Sequence, residues 1–158
     1  ELESIVKRLA TLLDLVAKND AVSLLAECSW RTPRVAYRLL RRARDFAQVL
    51  GDGNVTSEIV REALERLGID RLGLGEQDRR ILATIIDHYS GGPVGAETLA
   101  ISIGEGIDTL EDFYEPYLIQ RGLIKRTPRG RMVTEQAYRH LGRTFLEREE
   151  NGDQGLLL

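Results

Sequence analysis

Arginine is the residue type whose placement in this chain could do chemistry. Arg121, Lys125, Arg126, Arg129 and Arg131 put five positive charges into eleven residues with no acid among them. Arg126 and Arg131 flank Thr127-Pro128-Arg129-Gly130, a turn sequence between two short runs, Leu123 to Arg126 and Arg131 to Thr134, that read as the strands of a hairpin. An arginine beside a stiff Thr-Pro turn presents a planar fork of donors, which suits phosphate oxygens better than a flexible point charge does. A second run, Arg31-Thr32-Pro33-Arg34, opens a stretch in which Arg34, Arg38, Arg41 and Arg42 share one face at helical spacing. Arg34 falls in the first turn, where a helix N-terminus already favours anions. The chemistry both runs suggest is phosphate binding, either to a nucleotide or to a nucleic-acid backbone. For each run the alternative is an ordinary solvated basic face.

Helices must position most of these side chains. Leu2, Ile5, Val6, Leu9, Leu12, Leu13 and Val16 recur at helical spacing and predict an amphipathic helix from Leu2 to Ala17. Asn19-Asp20 caps a short helix, Ala21 to Cys28. Thr32 as N-cap and Pro33 at the first helical position start a third, which runs to about Leu50 with Val35, Leu39, Leu40, Ala43 and Phe46 inward. Gly51-Asp52-Gly53-Asn54 breaks it, and Thr56 or Ser57 caps a fourth helix. Residues 1–72 therefore read as a small four-helix bundle, with Gly68 to Gly75 as a glycine-rich, charged linker.

Beyond the linker, Glu76 to Tyr89 is helical, Gly91-Gly92-Pro93-Val94 is a tight connection and Ala96 to Ile103 is a short helix. Asp108 and Glu111 have capping-box spacing and would start a third helix that ends near Arg121-Gly122. The basic hairpin follows, then a closing helix from Glu135 to Leu141. Three helices and a hairpin describe a winged helix-turn-helix over residues 73–142, with a polar tail over 143–158. The fold class is mainly α.

The third helix of that unit is a poor reader of bases. Glu105, Asp108, Glu111, Asp112 and Glu115 lie before it or on it and would repel phosphates, and Pro116 interrupts it. If the unit binds DNA, the hairpin leads and base-sequence preference is low. A stand-alone transcriptional regulator would need a better reading helix. A protein-interaction adaptor would instead use the aromatic stretch Phe113 to Tyr117.

Composition narrows the remaining choices. The 158 residues are 42% hydrophobic and 30% charged, with no apolar run long enough to span a membrane and no secretory signal pattern, so a cytoplasmic setting is expected. The formal net charge of −3 does not count against nucleic acid, because affinity follows local patches and the charge here is segregated. Cys28, His88 and His140 have no metal-ligand spacing and form no catalytic pair, so neither a metal site nor a catalytic residue is expected. There is no Gly-x-x-x-x-Gly-Lys-Ser/Thr loop, and Gly91-Gly92-Pro93-Val94-Gly95 lacks the lysine, so this chain is not expected to hydrolyse a nucleotide alone. It opens at Glu1 inside what reads as a helix, and residues upstream are expected.

Taken together, Thr32-Pro33-Arg34-Val35-Ala36-Tyr37-Arg38-Leu39-Leu40-Arg41-Arg42, Gly91-Gly92-Pro93-Val94-Gly95, Tyr114-Glu115-Pro116-Tyr117-Leu118-Ile119-Gln120-Arg121-Gly122 and Arg126-Thr127-Pro128-Arg129-Gly130-Arg131 closely resemble the bacterial RuvB family. The likeness runs in order from Glu1 to about Gly142. RuvB proteins are AAA+ motors that drive branch migration of Holliday junctions. The resemblance implies an AAA+ lid followed by a winged-helix domain, with Arg34 as the sensor-2 arginine that reaches a nucleotide's phosphates and Pro33 lining the same site. ATP with magnesium is then the implied cofactor, held only with an ATPase domain that carries the Walker motifs. Arg126, Arg131, Arg129 and Lys125 are implied as DNA contacts. The implied partners are duplex DNA or a Holliday junction, a RuvA-type junction-binding subunit and, for the full-length protein, five further copies in a hexamer. The family's usual Arg-Gly before Thr-Pro-Arg is Trp30-Arg31 here, which removes a glycine that eases the turn.

Overall fold

The structure, a computed structural model, describes residues 1–29 and 32–146, with Arg34 described by its backbone alone. The chain divides into two compact units, Glu1–Ile81 and Leu82–Leu158.

The first unit is a bundle of α1 (Leu2–Leu12), α2 (Asn19–Cys28), α3 (Pro33–Leu50) and α4 (Ser57–Arg66). α1 packs on α2 and α3, and α4 closes against the same two helices. Val6, Leu25, Leu40, Ala43 and Val60 form its centre and are almost fully buried. A buried aliphatic side chain of this size contributes about 2 kcal/mol, so the apolar stripes of α3 and α4 account for much of the bundle's cohesion.

Three sequence expectations change here, the first at α2, which begins at Asn19 with Lys18 as its N-cap, so neither Asn19 nor Asp20 caps it. α1 ends at Leu12 rather than Ala17, because Asp14 adopts φ 54 and turns the chain out of the helix. Beyond that turn, the Val55 amide donates to the Val16 carbonyl at 2.9 Å and the Lys18 amide to the Val55 carbonyl at 3.1 Å, forming a parallel bridge between Ala17 and Val55. Val16 is therefore exposed, and its apolar character belongs to no helical stripe. Thr32 does precede Pro33 at the start of α3, but its hydroxyl donates to the Ser29 carbonyl at 3.2 Å and caps no α3 amide. At α4, by contrast, the Thr56 hydroxyl accepts from the Ile59 amide at 3.3 Å.

The glycine-rich segment before α5 (Glu76–Tyr89) is held by hydrogen bonds of its own. Asp70 Oδ1 accepts from the Leu72 and Leu74 amides, both at 3.0 Å, and Arg79 donates to the carbonyls of Leu74 at 2.6 Å and Gly68 at 2.9 Å. Asp78, buried, accepts from the Gly75 amide at 2.9 Å and so caps the helix from inside its first turn.

In the second unit, α6 (Ala96–Ile103) packs on a composite helix made of α7 (Ile107–Thr109), a π turn (Leu110–Tyr114) and α8 (Glu115–Gln120). Gly106 is the N-cap of α7 and no side chain caps it, so Asp108 and Glu111 do not form the expected capping box. The π turn resolves the conflict posed by Pro116, which has no N–H to donate and would crowd the carbonyl four residues back in a regular helix. Its wider hydrogen bond runs from the Glu115 amide to the Leu110 carbonyl. The two residues joined by that bond are both fully buried, so the inward position that a regular helix would give to Tyr114 passes to Glu115.

Strands β1 (Ile124–Thr127) and β2 (Gly130–Val133) form an antiparallel hairpin, and α9 (Glu135–His140) closes the unit. The glycine-rich segment serves this hairpin. Val94 exchanges both backbone hydrogen bonds with Arg131, at 3.0 and 2.7 Å, as a single antiparallel bridge beside β2. A Cβ at Gly92 would collide with the Arg131 carbonyl, and one at Gly130 with the Val94 carbonyl. Those glycines let two backbones approach closely.

Candidate nucleic-acid interface

The hairpin is short and tightly closed. Its turn is only Pro128-Arg129, because Thr127 and Gly130 already pair; the Thr127 hydroxyl donates to the Gly130 carbonyl at 2.9 Å and accepts from the Arg129 amide at 3.3 Å. At the base, the Thr134 amide donates to the Leu123 carbonyl at 3.0 Å. The register sets Arg126 opposite Arg131. Like charges so placed repel and would splay the strands.

A buried carboxylate removes that conflict. Glu115 is fully buried and receives both arginine forks: Arg126 through Nε at 3.0 Å to Oε2 and through Nη2 to the same oxygen, Arg131 through Nε at 2.5 Å to Oε1 and through Nη2 at 3.3 Å to Oε2. Arg131 Nη2 also donates to Glu111 Oε1 at 2.7 Å. The hydrogen bonds to Glu115, with the Glu111 charge beside them, raise the Arg131 guanidinium above its ordinary pKa despite its burial. Two arginines and two glutamates thus form a locally neutral network at the wing. Its exposure is graded, with the Arg126 side chain 52% exposed, Glu111 37% and Arg131 14%.

The other expected contacts are free of this network. Lys125 and Arg129 are exposed and have no ion-pair partner among the described residues. The Arg121 guanidinium lies 5.9 Å from the centre of the Tyr117 ring, a cation–π distance. The wing thus presents two unpaired cations, Lys125 and Arg129, and one half-exposed arginine, Arg126, on a stiff hairpin. Such a surface can contact phosphate oxygens of a nucleic-acid backbone, and it carries no array of base-reading side chains.

Glu111 and Glu115 are the site residues missed in the sequence, where they pass as part of a repulsive acidic run. A signal was present. Leu118 is a buried-stripe residue of α8, and Glu115 lies three positions before it on the same face.

In the first unit, Pro33 is exposed at the first position of α3, and Arg38, Arg41 and Arg42 line an exposed face, with Arg41 5.8 Å from the Tyr37 ring centre. The side chain of Arg34, and Trp30 and Arg31, lie outside the described residues, so the sensor assignment is not placed by the geometry. One described feature fits an anion. With its hydroxyl turned back to Ser29, the N-cap residue Thr32 makes no side-chain cap to the first-turn amides of α3.

Comparison with known proteins bears on both units. Residues 1–70 match the family model of the RuvB AAA lid domain, and residues 71–142 that of the RuvB C-terminal winged helix domain. The Holliday junction branch migration complex subunit RuvB of Treponema denticola is 62% identical over 142 residues, covering 90% of this chain and 41% of that protein. Its counterpart from Borreliella burgdorferi is 56% identical over 152 residues, covering 96% of this chain and 43% of that protein. Among solved structures, the Thermotoga maritima RuvB Holliday junction branch migration motor superposes with a TM-score of 0.90 at 48% identity, covering 92% of this chain and 49% of that chain. This chain therefore spans less than half the length of the relatives it matches.

Proposed function

The chain belongs to the RuvB family, and from that premise we propose that it is the lid and DNA-gripping portion of an ATP-driven motor for Holliday junction branch migration. The observation that carries this reading is the wing: Lys125 and Arg129 unpaired, Arg126 half exposed, and all three on a hairpin that a buried carboxylate holds closed. Its ligand is duplex DNA or a junction arm, gripped by phosphates with little preference for base sequence.

Residues 1–72 act as the lid, residues 73–142 as the winged-helix domain and residues 143–158 as a tail. In the lid, Arg34 and Pro33 face the phosphates of ATP held with magnesium by the family's ATPase domain, and the first-turn amides of α3 add partial positive charge there. Hydrolysis in that domain supplies the free energy, and the lid's part is to register the phosphate state. A hexameric ring, a RuvA-type subunit presenting the junction and a cytoplasmic setting complete the reading. Among the described residues no helix is long and apolar enough to cross a membrane.

Lys125 and Arg129 test the grip, because neither supports the fold. The double variant Lys125→Ala/Arg129→Ala should bind every duplex sequence more weakly by a similar factor. The slope of log affinity against log salt should flatten by up to about two units. Unchanged affinity, or a sharp consensus sequence among selected DNAs, would sink the proposal.

A further inference from the structure

We propose that Glu111 is an exchangeable counter-ion on the wing: a DNA phosphate displaces it from Arg131, while Glu115 stays in place and keeps both arginines aimed. This rests on the reading of the wing as the DNA grip. The argument begins with the difference between the two acids. Glu115 is fully buried and holds Nε of both Arg126 and Arg131, so its removal would leave two guanidinium groups without their shared partner. Glu111 holds only Arg131 Nη2, from a side chain that is 37% exposed. That second bond lies at the solvent edge, where an incoming phosphate oxygen can replace a carboxylate oxygen on the same donor with little rearrangement.

The exchange has an electrostatic signature. A phosphate that pairs with Arg131 releases a cation from the DNA, but the freed Glu111 then attracts a cation from solution, and the two contributions to the salt slope oppose each other. Arg131 therefore contributes less salt dependence than an unpaired arginine would. Glu111 also makes the network of two arginines and two glutamates neutral when no DNA is present, which limits association of Arg131 with other anions at the cost of some affinity. Glu115 is a positioning residue here, because it acts on the ligand only through the arginines.

The test uses duplex DNA of arbitrary sequence. Glu111→Gln should bind about threefold more tightly at low salt and steepen the log–log salt slope by up to about one unit. Asp112→Asn, which removes a neighbouring exposed charge paired with no wing arginine, should do less on both counts. In the unaltered chain, carbon-13 NMR of the Glu111 carboxyl and nitrogen-15 NMR of the Arg131 guanidinium should shift together as DNA is added, with the Glu115 carboxyl moving little. A Glu111 carboxyl signal unmoved at saturating DNA would overturn the exchange, as would equal gains from Glu111→Gln and Asp112→Asn. If the unaltered chain binds no DNA, the grip itself fails; binding with Glu111 unmoved sinks the exchange alone.

Discussion

Glu115 puts a negative charge where the hairpin register would otherwise leave two arginines face to face. Burying a carboxylate is costly, and the cost is offset only because both forks hydrogen-bond to it directly. Neutralising it should therefore hurt folding more than binding. Glu115→Gln keeps the shape but leaves Arg131, only 14% exposed, with the half-exposed Glu111 as its one remaining charge partner in the network, and should destabilise the winged-helix unit by about 3 kcal/mol. Denaturant unfolding followed by circular dichroism measures this, and a loss below about 1 kcal/mol would mean that the pair behaves as a surface ion pair. The same residue marks a limit on what a sequence displays. Charge and local spacing make Lys125, Arg126, Arg129 and Arg131 legible as a basic hairpin. Which acids face phosphate and which face arginine depends on a π turn that no propensity announces.

At the level of elements, α3 and α4 are legible because their apolar stripes and start signals agree, down to the Thr56 cap. α1 is overextended in the sequence because Val16 has the right spacing and polarity for a stripe that Asp14 has already ended. The segment from Gly68 to Gly75 shows less of itself in the sequence. Glycine and charge suggest slackness, whereas Asp70, Asp78 and Arg79 spend their polar groups fixing its backbone. Asp78 gives this turn a pH dependence. Burial, with the nearby Asp70 charge adding to it, raises its carboxyl from 3.8 to about 6. A group raised on folding contributes most stability below its unfolded pKa and loses that contribution as pH climbs through its folded value. Relative to Asp78→Asn, the natural chain should gain up to about 3 kcal/mol between pH 7 and pH 4. The stability difference measured by urea unfolding across that range checks it, and a difference independent of pH would refute it.

At the scale of the molecule, the chain has two compact units, and among the described residues the bundle's buried cluster runs from Val6 to Leu64, with Ile69 packed against it. On the proposed reading, in which a phosphate signal at one unit is relayed to a DNA grip on the other, each unit must keep its shape while the signal passes. Two cores meet that need when damage to one leaves the other's packing intact, which is the expected outcome. Trp30 makes the consequence measurable, since it is the chain's one tryptophan and lies in the first unit's sequence. Leu99→Ala removes a fully buried side chain from the second unit and should cost that unit about 2–5 kcal/mol. Tryptophan fluorescence should then keep its unfolding midpoint while circular dichroism shows an earlier first transition. A matched shift of both probes would show that the units unfold as one cooperative body, so that a change at the wing is felt throughout the lid.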